Sequence, residues 1–477
     1  MTPPQTDYLI VGAGAAGLAF ADTLLAESEA RLTIVDRRAT PGGHWNDAYP
    51  FVALHQPSAF YGVNSLELGS GRRDDTGVNA GLYELASGPE IGGYFDRVMR
   101  QRLLASGRVE YRPMSDWRGG GRVVSLLSGE TTEFTVRRRV VHAAYLSPSV
   151  PATHRPRFAI APGARVVPPG ELARLGQAGA GADEPPRHFA ILGAGKTAMD
   201  VAVWLVGQGV APDAISWVVP RDAWLLNRLQ TQPGERFFEH TIGGQADQMA
   251  AWAAAKSVDD LYDRLEACGT LLRIDPDRRP SMFHLATIST GEIETLRRIT
   301  RVIRLGHVRA VELHGLVLDQ GRAALPPGTL CIDCTASAVE PRPLQPIFQE
   351  GLIVPQLVRL PQPSFSAALI AWVEAHLPDD AARNRLCAPV PFPHSPDGYP
   401  AALLAHLGNQ LRWSQDKALR AWIRDSRLDG FGRMITSVDP GDAPRQAILA
   451  RLRSQAAAAL VNLATLAGAE PPAFSPR

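Results

Sequence analysis

The sequence predicts an α/β fold with two parallel-sheet units and a mostly helical C-terminal region. Two observations predict the sheet units. Near the N-terminus an apolar strand runs directly into a glycine-rich turn and an apolar helix, and the same order recurs near residue 190. The third observation concerns the chain from about residue 345 onward, where apolar side chains recur three and four residues apart, as is typical of packed helices.

The first unit contains the strand-like run DYLIVGAG, the motif Gly12-Ala-Gly14-Ala-Ala-Gly17 and the helical pattern LAFADTLLAES. Gly12 permits a tight turn, Gly14 lets the backbone approach a diphosphate, and Gly17 lets helix and strand pack closely. A second strand ends about 20 residues later at Asp36, whose carboxylate can bind a ribose hydroxyl. Because a helix N-terminus favours an anion, the unit predicts a Rossmann-like dinucleotide site rather than a ligand-free glycine-rich turn.

The second unit repeats this pattern as RHFAILGAGKTAMDVAVWLVGQG, with Gly193-Ala-Gly195-Lys-Thr-Ala198 between a strand and a helix. Ala198 replaces the third glycine, which the same packing tolerates. The next strand ends at Arg221 instead of an acid. A guanidinium can pair with the 2′-phosphate of NADP, so this residue favours NADPH over NADH. Alternatively, Arg221 is a solvent-facing arginine at a strand end.

Two dinucleotide sites in one chain indicate redox chemistry. NADPH delivers a hydride, and the usual tightly bound acceptor is FAD, which we place in the N-terminal site. Residues 42–58, GGHWNDAYPFVALHQPS, fit neither a helical nor a strand period. They follow the ribose-binding strand, so we expect them to run from the adenosine toward the flavin ring. Flat rings and hydrogen-bonding groups suited to a planar heterocycle are supplied there by Trp45, Tyr49, His55 and Gln56.

These motifs resemble the class B flavoprotein monooxygenases, the flavin-containing and Baeyer–Villiger type, over roughly residues 7–340. That family has two Rossmann motifs and a GG-x-W element after the first acidic strand end, which Gly42, Gly43, His44 and Trp45 match. In its flavin-containing branch a polar amide faces the reactive edge of the flavin. The resemblance implies this role for Gln56, and we take Gln56 and His55 as the predicted catalytic residues.

The family also returns its chain to the FAD at short crossover segments, and residues 138–151 and 329–343 are similar to them. Asp333 resembles the acid that closes the second return, or is simply an acid at a strand end. One family element is missing. The fingerprint F-x-G-x-x-x-H-x-x-x-W/P should precede the second glycine motif, but RFAIAPGARVVPPGEL lacks its histidine and aligned glycine. Flavin reduction is therefore expected, whereas oxygenation lacks one of its usual residues.

The predicted cofactor residues fall into two groups. The FAD group is Gly12, Gly14, Gly17, Asp36, Arg37, Gly43, His44, Trp45 and Asp333. The NADP group is Gly193, Gly195, Lys196, Thr197, Ala198 and Arg221.

The predicted organisation has three parts joined by a linker at 176–187. An FAD-binding Rossmann-like domain covers 1–175 and is completed by about 330–345, and an NADP-binding domain covers 186–330 with a helical insert at about 244–305. A helical cap or substrate region covers 346–477.

The amino-acid composition limits the classes of binding partner that we expect for this chain. With 49 basic and 48 acidic residues, the formal net charge is +1, which gives no reason to expect nucleic acid or an anionic membrane. No apolar stretch reaches the roughly 18 residues of a membrane span. The N-terminal residues lead into the first predicted strand without the pattern of a secretory signal, so we expect a cytoplasmic protein. Four cysteines do not form a disulfide framework, and we expect no metal site. A homodimer is one of the oligomeric states that remain open.

The sequence thus predicts an NADPH-consuming FAD oxidoreductase, a monooxygenase that acts on a small organic substrate and molecular oxygen through a flavin peroxide. Three alternatives remain. The chain could be a flavin reductase or dehydrogenase without oxygenation, a single-component flavin halogenase, or a protein that binds FAD and NADP without turnover. A halogenase would need a lysine near the flavin, and the chain has only Lys196, Lys256 and Lys417.

Overall fold

The structure is a computed structural model that describes residues 3–146, 148–175, 186–337 and 339–470. Apart from its last two residues, the predicted linker at 176–187 lies outside the described residues. The strands of the first half are β1 (Gln5–Val11), β2 (Leu32–Val35), β3 (Val109–Arg112), β4 (Ser115–Trp117), β5 (Arg122–Ser125), β6 (Thr131–Glu133), β7 (Thr135–His142), β8 (Ala159–Ile160), β9 (Arg165–Val167), β10 (Phe189–Leu192), β11 (Ile215–Val218) and β12 (Ala223–Asn227). Those that follow are β13 (Leu271–Leu272), β14 (Met282–Ile288), β15 (Arg301–Ile303), β16 (Val308–Glu312), β17 (Gly315–Leu318), β18 (Gly321–Ala324), β19 (Leu330–Asp333), β20 (Phe348–Gln349) and β21 (Leu352–Ile353).

The α-helices are α1 (Ala15–Glu27), α2 (Gly88–Arg97), α3 (Pro169–Leu172), α4 (Lys196–Gly207), α5 (Gly244–Ala254), α6 (Val258–Ala267), α7 (Thr290–Arg297), α8 (Pro363–His376), α9 (Asp380–Leu386), α10 (Tyr399–Gln415), α11 (Lys417–Asp425), α12 (Phe431–Thr436) and α13 (Ala443–Ala467).

The first sheet has the order β20-β21-β7-β1-β2-β3, with β1 parallel to both β2 and β7. The strands β1 and β2 are apolar because both faces of a parallel sheet are covered. Helix α1 packs on this sheet, and α8 packs beside it in the same core. The Tyr8 hydroxyl of β1 donates to Glu374 of α8 at 2.8 Å. The C-terminal region predicted as a separate cap therefore supplies an internal helix to the first unit.

The second sheet, β15-β11-β10-β19-β9, is parallel throughout. In it Leu192 of β10 lies opposite Asp333 of β19. The segment predicted to complete the first domain, about 330–345, thus begins as a strand of the second sheet. The first sheet is completed instead by β21, whose Leu352 and Ile353 pair with β7. An apolar strand between two sheets carries no local signal of which sheet it joins, so the sequence placed the return too early.

The predicted helical insert at about 244–305 is only partly helical. It contains α5, α6 and α7, but also β13 and β14, which join β12 in a three-stranded sheet. Together with α10 and α13, helices α5 and α6 and this small sheet enclose a separate core around Trp224, Tyr262 and Phe283. Two further antiparallel sheets, β4-β5-β6 and β18-β17-β16 with β8 at its edge, lie outside the nucleotide units. The α/β fold class with two parallel-sheet units and a mostly helical C-terminal region is confirmed.

Candidate functional site

The first glycine turn has the backbone geometry expected of its three glycines. Gly12 has a φ of 107°, which side-chain-bearing residues rarely adopt. A Cβ atom on Gly17 would lie 1.9 Å from the carbonyl oxygen of Gly12, so only glycine permits this contact between helix and turn. Helix α1 starts after Gly14 with no side-chain cap and no acidic residue in its first turn. Its first N–H groups are thus left for an anion.

Asp36 and Arg37 follow β2 at the edge of this turn. The buried Asp36 carboxylate accepts the backbone N–H of Ala13 at 2.7 Å and that of Arg38 at 2.8 Å. Asp36, predicted to bind a ribose hydroxyl, therefore also stabilises the conformation of the glycine turn. The guanidinium of Arg37 pairs with Asp116 at 2.6 Å. The side chain of Arg37, predicted to bind the cofactor, therefore contacts strand β4, and no local pattern predicts this contact.

The loop at 42–58 begins directly against the first glycine turn. Gly43 has a φ of 60°, and a Cβ atom on it would lie 2.9 Å from the Cα atom of Gly14. The backbone then makes a short 3-10 turn over Gly43–Asp47 instead of the irregular loop that the sequence predicts. Trp45 donates its Nε1–H to the hydroxyl of Tyr61 at 2.7 Å, and burial lowers the pKa of His44 to about 4. The backbone of the loop thus contacts the glycine turn beside the N-terminus of α1.

The same loop ends against helix α4 of the second unit. The Tyr49 hydroxyl donates to Asp200 Oδ2 at 2.7 Å. The ring of Phe51 stacks on that of Trp204, with 4.5 Å between ring centroids. One short segment therefore contacts both glycine-turn units.

The second glycine turn repeats the geometry of the first. Gly193 has a φ of 116°, and a Cβ atom on it would lie 2.7 Å from the carbonyl oxygen of Cys334. Around Gly195 no atom of the described residues lies within 4 Å of such a Cβ, so the turn is open there. Helix α4 starts at Lys196, also without a side-chain cap or an acid in its first turn. Thr197 occupies its second position, and the small side chain of Ala198 is fully buried.

Lys196 has a different place from the one predicted. Its Nζ atom contacts the Asp200 carboxylate and lies 2.9 Å from Glu292 Oε1. Burial opposes its charge, but these two carboxylates raise the pKa of Lys196 above its usual value. The ammonium is thus held between carboxylates inside the protein, and the predicted contact of Lys196 with NADP stays a prediction that its side chain does not support. Only its backbone N–H remains at the helix N-terminus.

A pocket of about 450 Å³ lies beside the second glycine turn, at the end of β11 and next to α7. Its wall includes Ala194 of the turn and Met199 of α4. It is lined by four arginines, Arg221, Arg273, Arg297 and Arg304.

Three of these four arginines have protein partners. The guanidinium of Arg273 contacts the Glu266 carboxylate, and that of Arg297 donates to backbone carbonyl groups. Arg304 pairs with the carboxylates of Asp222 and Asp275. Arg221, in contrast, is exposed and makes no hydrogen bond or ion pair with any residue that the structure describes. This leaves its guanidinium available to an anion in the pocket.

The two predicted catalytic residues lie at the loop end that faces the second unit. The imidazole Nε2 of His55 is 3.9 Å from Asp200 Oδ2. Burial and the nearby charge of Lys196 lower the pKa of His55 to about 4, so the ring is neutral at pH 7. The side-chain amide of Gln56 has no hydrogen-bond partner among the residues described. Both nitrogen-bearing groups are therefore neutral hydrogen-bonding groups.

Asp333 does not join the first site. It is buried at the end of β19, where its carboxylate accepts the Thr335 hydroxyl at 2.6 Å and the Thr335 backbone N–H at 3.0 Å. His154 Nε2 lies 4.0 Å from it. The predicted role in FAD binding is thus replaced by a place in the second sheet beside Gly193.

Sequence reasoning missed the residues that join the loop to the second unit. Asp200 lies one helical turn after Lys196, and Glu292 caps α7 in a Ser-x-x-Glu capping box with Ser289. Arg228, fully buried, pairs with Glu292 at 2.6 Å. The capping box is readable in the sequence, but nothing local shows that Glu292 also meets residues that are distant along the chain.

Both glycine turns have the features that a dinucleotide requires: glycine backbones that permit close approach, an uncapped helix N-terminus, and a charged or polar residue at the second strand end. At the first turn a pyrophosphate would meet the N–H groups at the uncapped N-terminus of α1, beside the contact between the backbones of Gly14 and Gly43. Described residues contain no group of three or more histidine, cysteine or acidic side chains arranged to hold a metal. Over the same residues, no helix has both the length and the apolar character needed to cross a membrane.

Residues 10–64 match the family model of an NAD(P)-binding Rossmann-like domain, which confirms the predicted nature of the first unit. Over 462 residues the chain is 44% identical to the uncharacterized protein Rv2000 of Mycobacterium tuberculosis (strain ATCC 25618 / H37Rv), with 97% of this chain and 84% of the relative covered. The uncharacterized protein Mb2023 of Mycobacterium bovis (strain ATCC BAA-935 / AF2122/97) matches with the same values.

Solved structures with a similar fold include three monooxygenases. A polycyclic ketone monooxygenase from Thermothelomyces thermophila is 14% identical, with a TM-score of 0.48 and coverage of 96% of this chain and 85% of the other. An oxidized steroid monooxygenase bound to NADP is 13% identical, with a TM-score of 0.47 and coverage of 78% and 85%. An open structure of cyclohexanone monooxygenase is 14% identical, with a TM-score of 0.46 and coverage of 80% and 91%. At these identities the likeness concerns the fold.

Proposed function

The chain belongs to the family of the uncharacterized mycobacterial proteins with which it shares 44% identity, and we propose that it is an FAD-dependent oxidoreductase that consumes NADPH. One observation carries this proposal. Two glycine turns with uncapped helices are joined by a single loop that contacts Gly14 at its start and Asp200 near its end. Two dinucleotides held in this way would lie on either side of one segment.

FAD is assigned to the first turn. There the uncapped N-terminus of α1 offers N–H groups to a diphosphate, and Asp36 lies at the end of β2, where a ribose is bound in this kind of unit. NADPH is assigned to the second turn because its pocket presents the unpaired Arg221, which suits a 2′-phosphate. Bound FAD would accept a hydride from the nicotinamide and pass two electrons onward.

The finer proposal is monooxygenation of a small organic substrate. The overall reaction would consume NADPH, a proton, molecular oxygen and substrate, and release NADP⁺, water and the oxygenated product. This chain's own contribution is expected from neutral hydrogen-bonding groups at the loop end. The Gln56 amide has no partner among the described side chains, and His55 stays neutral at pH 7 because its pKa is lowered to about 4. Such groups can hold a polar reactant without supplying a proton.

The test is anaerobic reduction of the FAD-loaded protein by NADPH, followed by mixing with aerated buffer while absorbance spectra are recorded. Flavin bleaching by NADPH supports the oxidoreductase. An oxygen-dependent transient spectrum, distinct from reduced and oxidised flavin, supports monooxygenation. Bleaching followed by direct reoxidation, with or without candidate substrates, would favour a reductase. Tight binding of both dinucleotides without bleaching would overturn the enzyme proposal in favour of a binding protein.

A further inference from the structure

A group of buried charged and polar side chains lies between the loop and the second unit. We call it the loop anchor, and it consists of Tyr49, Lys196, Asp200, Arg228 and Glu292. Lys196 contacts the carboxylates of Asp200 and Glu292, and Arg228 pairs with Glu292 at 2.6 Å. Two cations thus face two carboxylates, and this pairing is what allows four charges to be buried together.

Two hydrogen bonds connect the loop at 42–58 to the second unit within the loop anchor. In the first, Tyr49 donates its hydroxyl to Asp200 at 2.7 Å, and burial with the nearby carboxylate raises the pKa of Tyr49 well above its usual value. In the second, Arg228 donates its Nε–H to the carbonyl oxygen of His55 at 2.9 Å. The phenol therefore remains a donor at all ordinary pH values, and the stretch from Tyr49 to His55 is fixed at both ends.

The loop anchor also lies next to the proposed NADPH site. Lys196 is the first residue of α4, the helix whose uncapped N-terminus opens the second glycine turn. Asp200 follows it by one helical turn and contacts both Lys196 and the loop. An anion bound at this N-terminus would act on the Lys196–Asp200 pair electrostatically, because the pair is shielded from water. At its other end, the loop contacts Gly14 of the proposed FAD site through Gly43.

We propose that Asp200 is a positioning residue that couples the two dinucleotide sites, by holding Tyr49 and thereby fixing the loop that borders the proposed FAD site. This inference rests on the proposed function. Asp200 touches neither dinucleotide in this scheme and acts on the loop through the Tyr49 hydroxyl. Binding of a dinucleotide at one glycine turn then favours the loop position that the second dinucleotide requires. Because the two binding equilibria are linked, each dinucleotide changes the affinity for the other by the same factor.

The test measures the dissociation constant of NADP⁺ with FAD-loaded protein and with protein stripped of FAD. In the unchanged protein we expect the two constants to differ by about 5-fold or more. Asp200→Ala, which removes the acceptor, and Tyr49→Phe, which removes the donor, should each bring the ratio close to one while FAD still binds. The double variant should show no further change, because both substitutions break the Tyr49–Asp200 hydrogen bond. Flavin reduction by NADPH should slow in both variants at saturating NADPH.

Two controls separate positioning from packing. Tyr262→Phe removes a buried hydroxyl that has no hydrogen-bond partner among the described residues, and should keep the ratio of the unchanged protein. Phe51→Leu removes the ring stacked on Trp204, and should lower the melting temperature but keep the ratio. Should Asp200→Ala misfold, Tyr49→Phe, which loses a single hydroxyl, still tests the coupling.

The outcomes distinguish the two proposals. If the unchanged protein binds neither dinucleotide, the proposed function is overturned and the coupling falls with it. If it binds both with a ratio of one, only the coupling is overturned. The same holds if Asp200→Ala retains the unchanged ratio, or if Phe51→Leu lowers the ratio as far as Asp200→Ala does.

Discussion

At the proposed second dinucleotide site, Arg221 is the residue that we expect to distinguish NADPH from NADH. Of the four arginines around its pocket, Arg221 alone lacks a protein partner among the residues described, so its guanidinium is free to meet a 2′-phosphate. We expect Arg221→Ala to weaken NADPH binding roughly 10- to 100-fold, the effect of losing charge-assisted hydrogen bonds, and to leave NADH binding unchanged. Titration of protein fluorescence with both nucleotides measures this.

Arg309→Ala is the matched control for Arg221, since it removes an exposed arginine that pairs with Asp319 on another sheet. It should change neither dissociation constant. Equal weakening of NADPH and NADH by Arg221→Ala would contradict the assignment of the 2′-phosphate to this residue.

The absence of a side chain at Gly17 allows helix α1 to contact the first glycine turn. A Cβ atom there would lie 1.9 Å from the Gly12 carbonyl oxygen, which belongs to backbone and cannot rotate away. We expect Gly17→Ala to cost about 3 kcal/mol or more of the unfolding free energy. The exposed helical Gly93, which has open space around it, gives the control. Gly93→Ala should be neutral or stabilising by up to about 1 kcal/mol. Chemical denaturation of both variants would show whether the difference exists.

At the scale of elements, helices α4 and α7 are joined through charges. The Glu292 side chain completes the capping box of α7 and forms ion pairs with Lys196 of α4 and with Arg228. Burial alone would raise the pKa of Glu292, but these two cations and the capping backbone N–H lower it to about 2. A carboxyl group with a depressed pKa stabilises the fold fully above its unfolded value, about 4.3, and loses this contribution as pH falls toward 2.

The pH dependence of unfolding tests this junction. Between pH 7 and 5 the unchanged protein should exceed Glu292→Gln in unfolding free energy by roughly 3 kcal/mol, from a shift of about two pH units. The gap should narrow as the pH drops below about 4.5. Glu294→Gln, on the same helix but without an ion pair among the described residues, should show no such gap. A gap independent of pH would mean that Glu292 acts through packing and not through its charge.

At the scale of the whole molecule, the C-terminal region is not a detachable cap. Helix α8 is buried almost throughout, packs beside α1, and accepts the Tyr8 hydroxyl at Glu374. A chain that ends at Pro361 should therefore fail to fold its first unit and should retain no FAD. A chain that ends at Gly468, the C-terminal cap of α13, should keep both. Circular dichroism and the flavin content of purified protein check this, and a folded, FAD-binding truncation at Pro361 would restore the cap interpretation.

Local rules in the amino-acid sequence are sufficient to predict the two glycine-turn units: an apolar strand, a turn that only glycine permits, and a helix with a buried face. They also single out Arg221 and the loop at 42–58 as candidates for cofactor contacts. The sheet that Asp333 joins, the packing of α8 and the contact of Lys196 with carboxylates are visible only in the folded chain. These depend on contacts between residues distant along the chain, such as Lys196 with Glu292 or Tyr8 with Glu374, and no periodicity or motif encodes such partners.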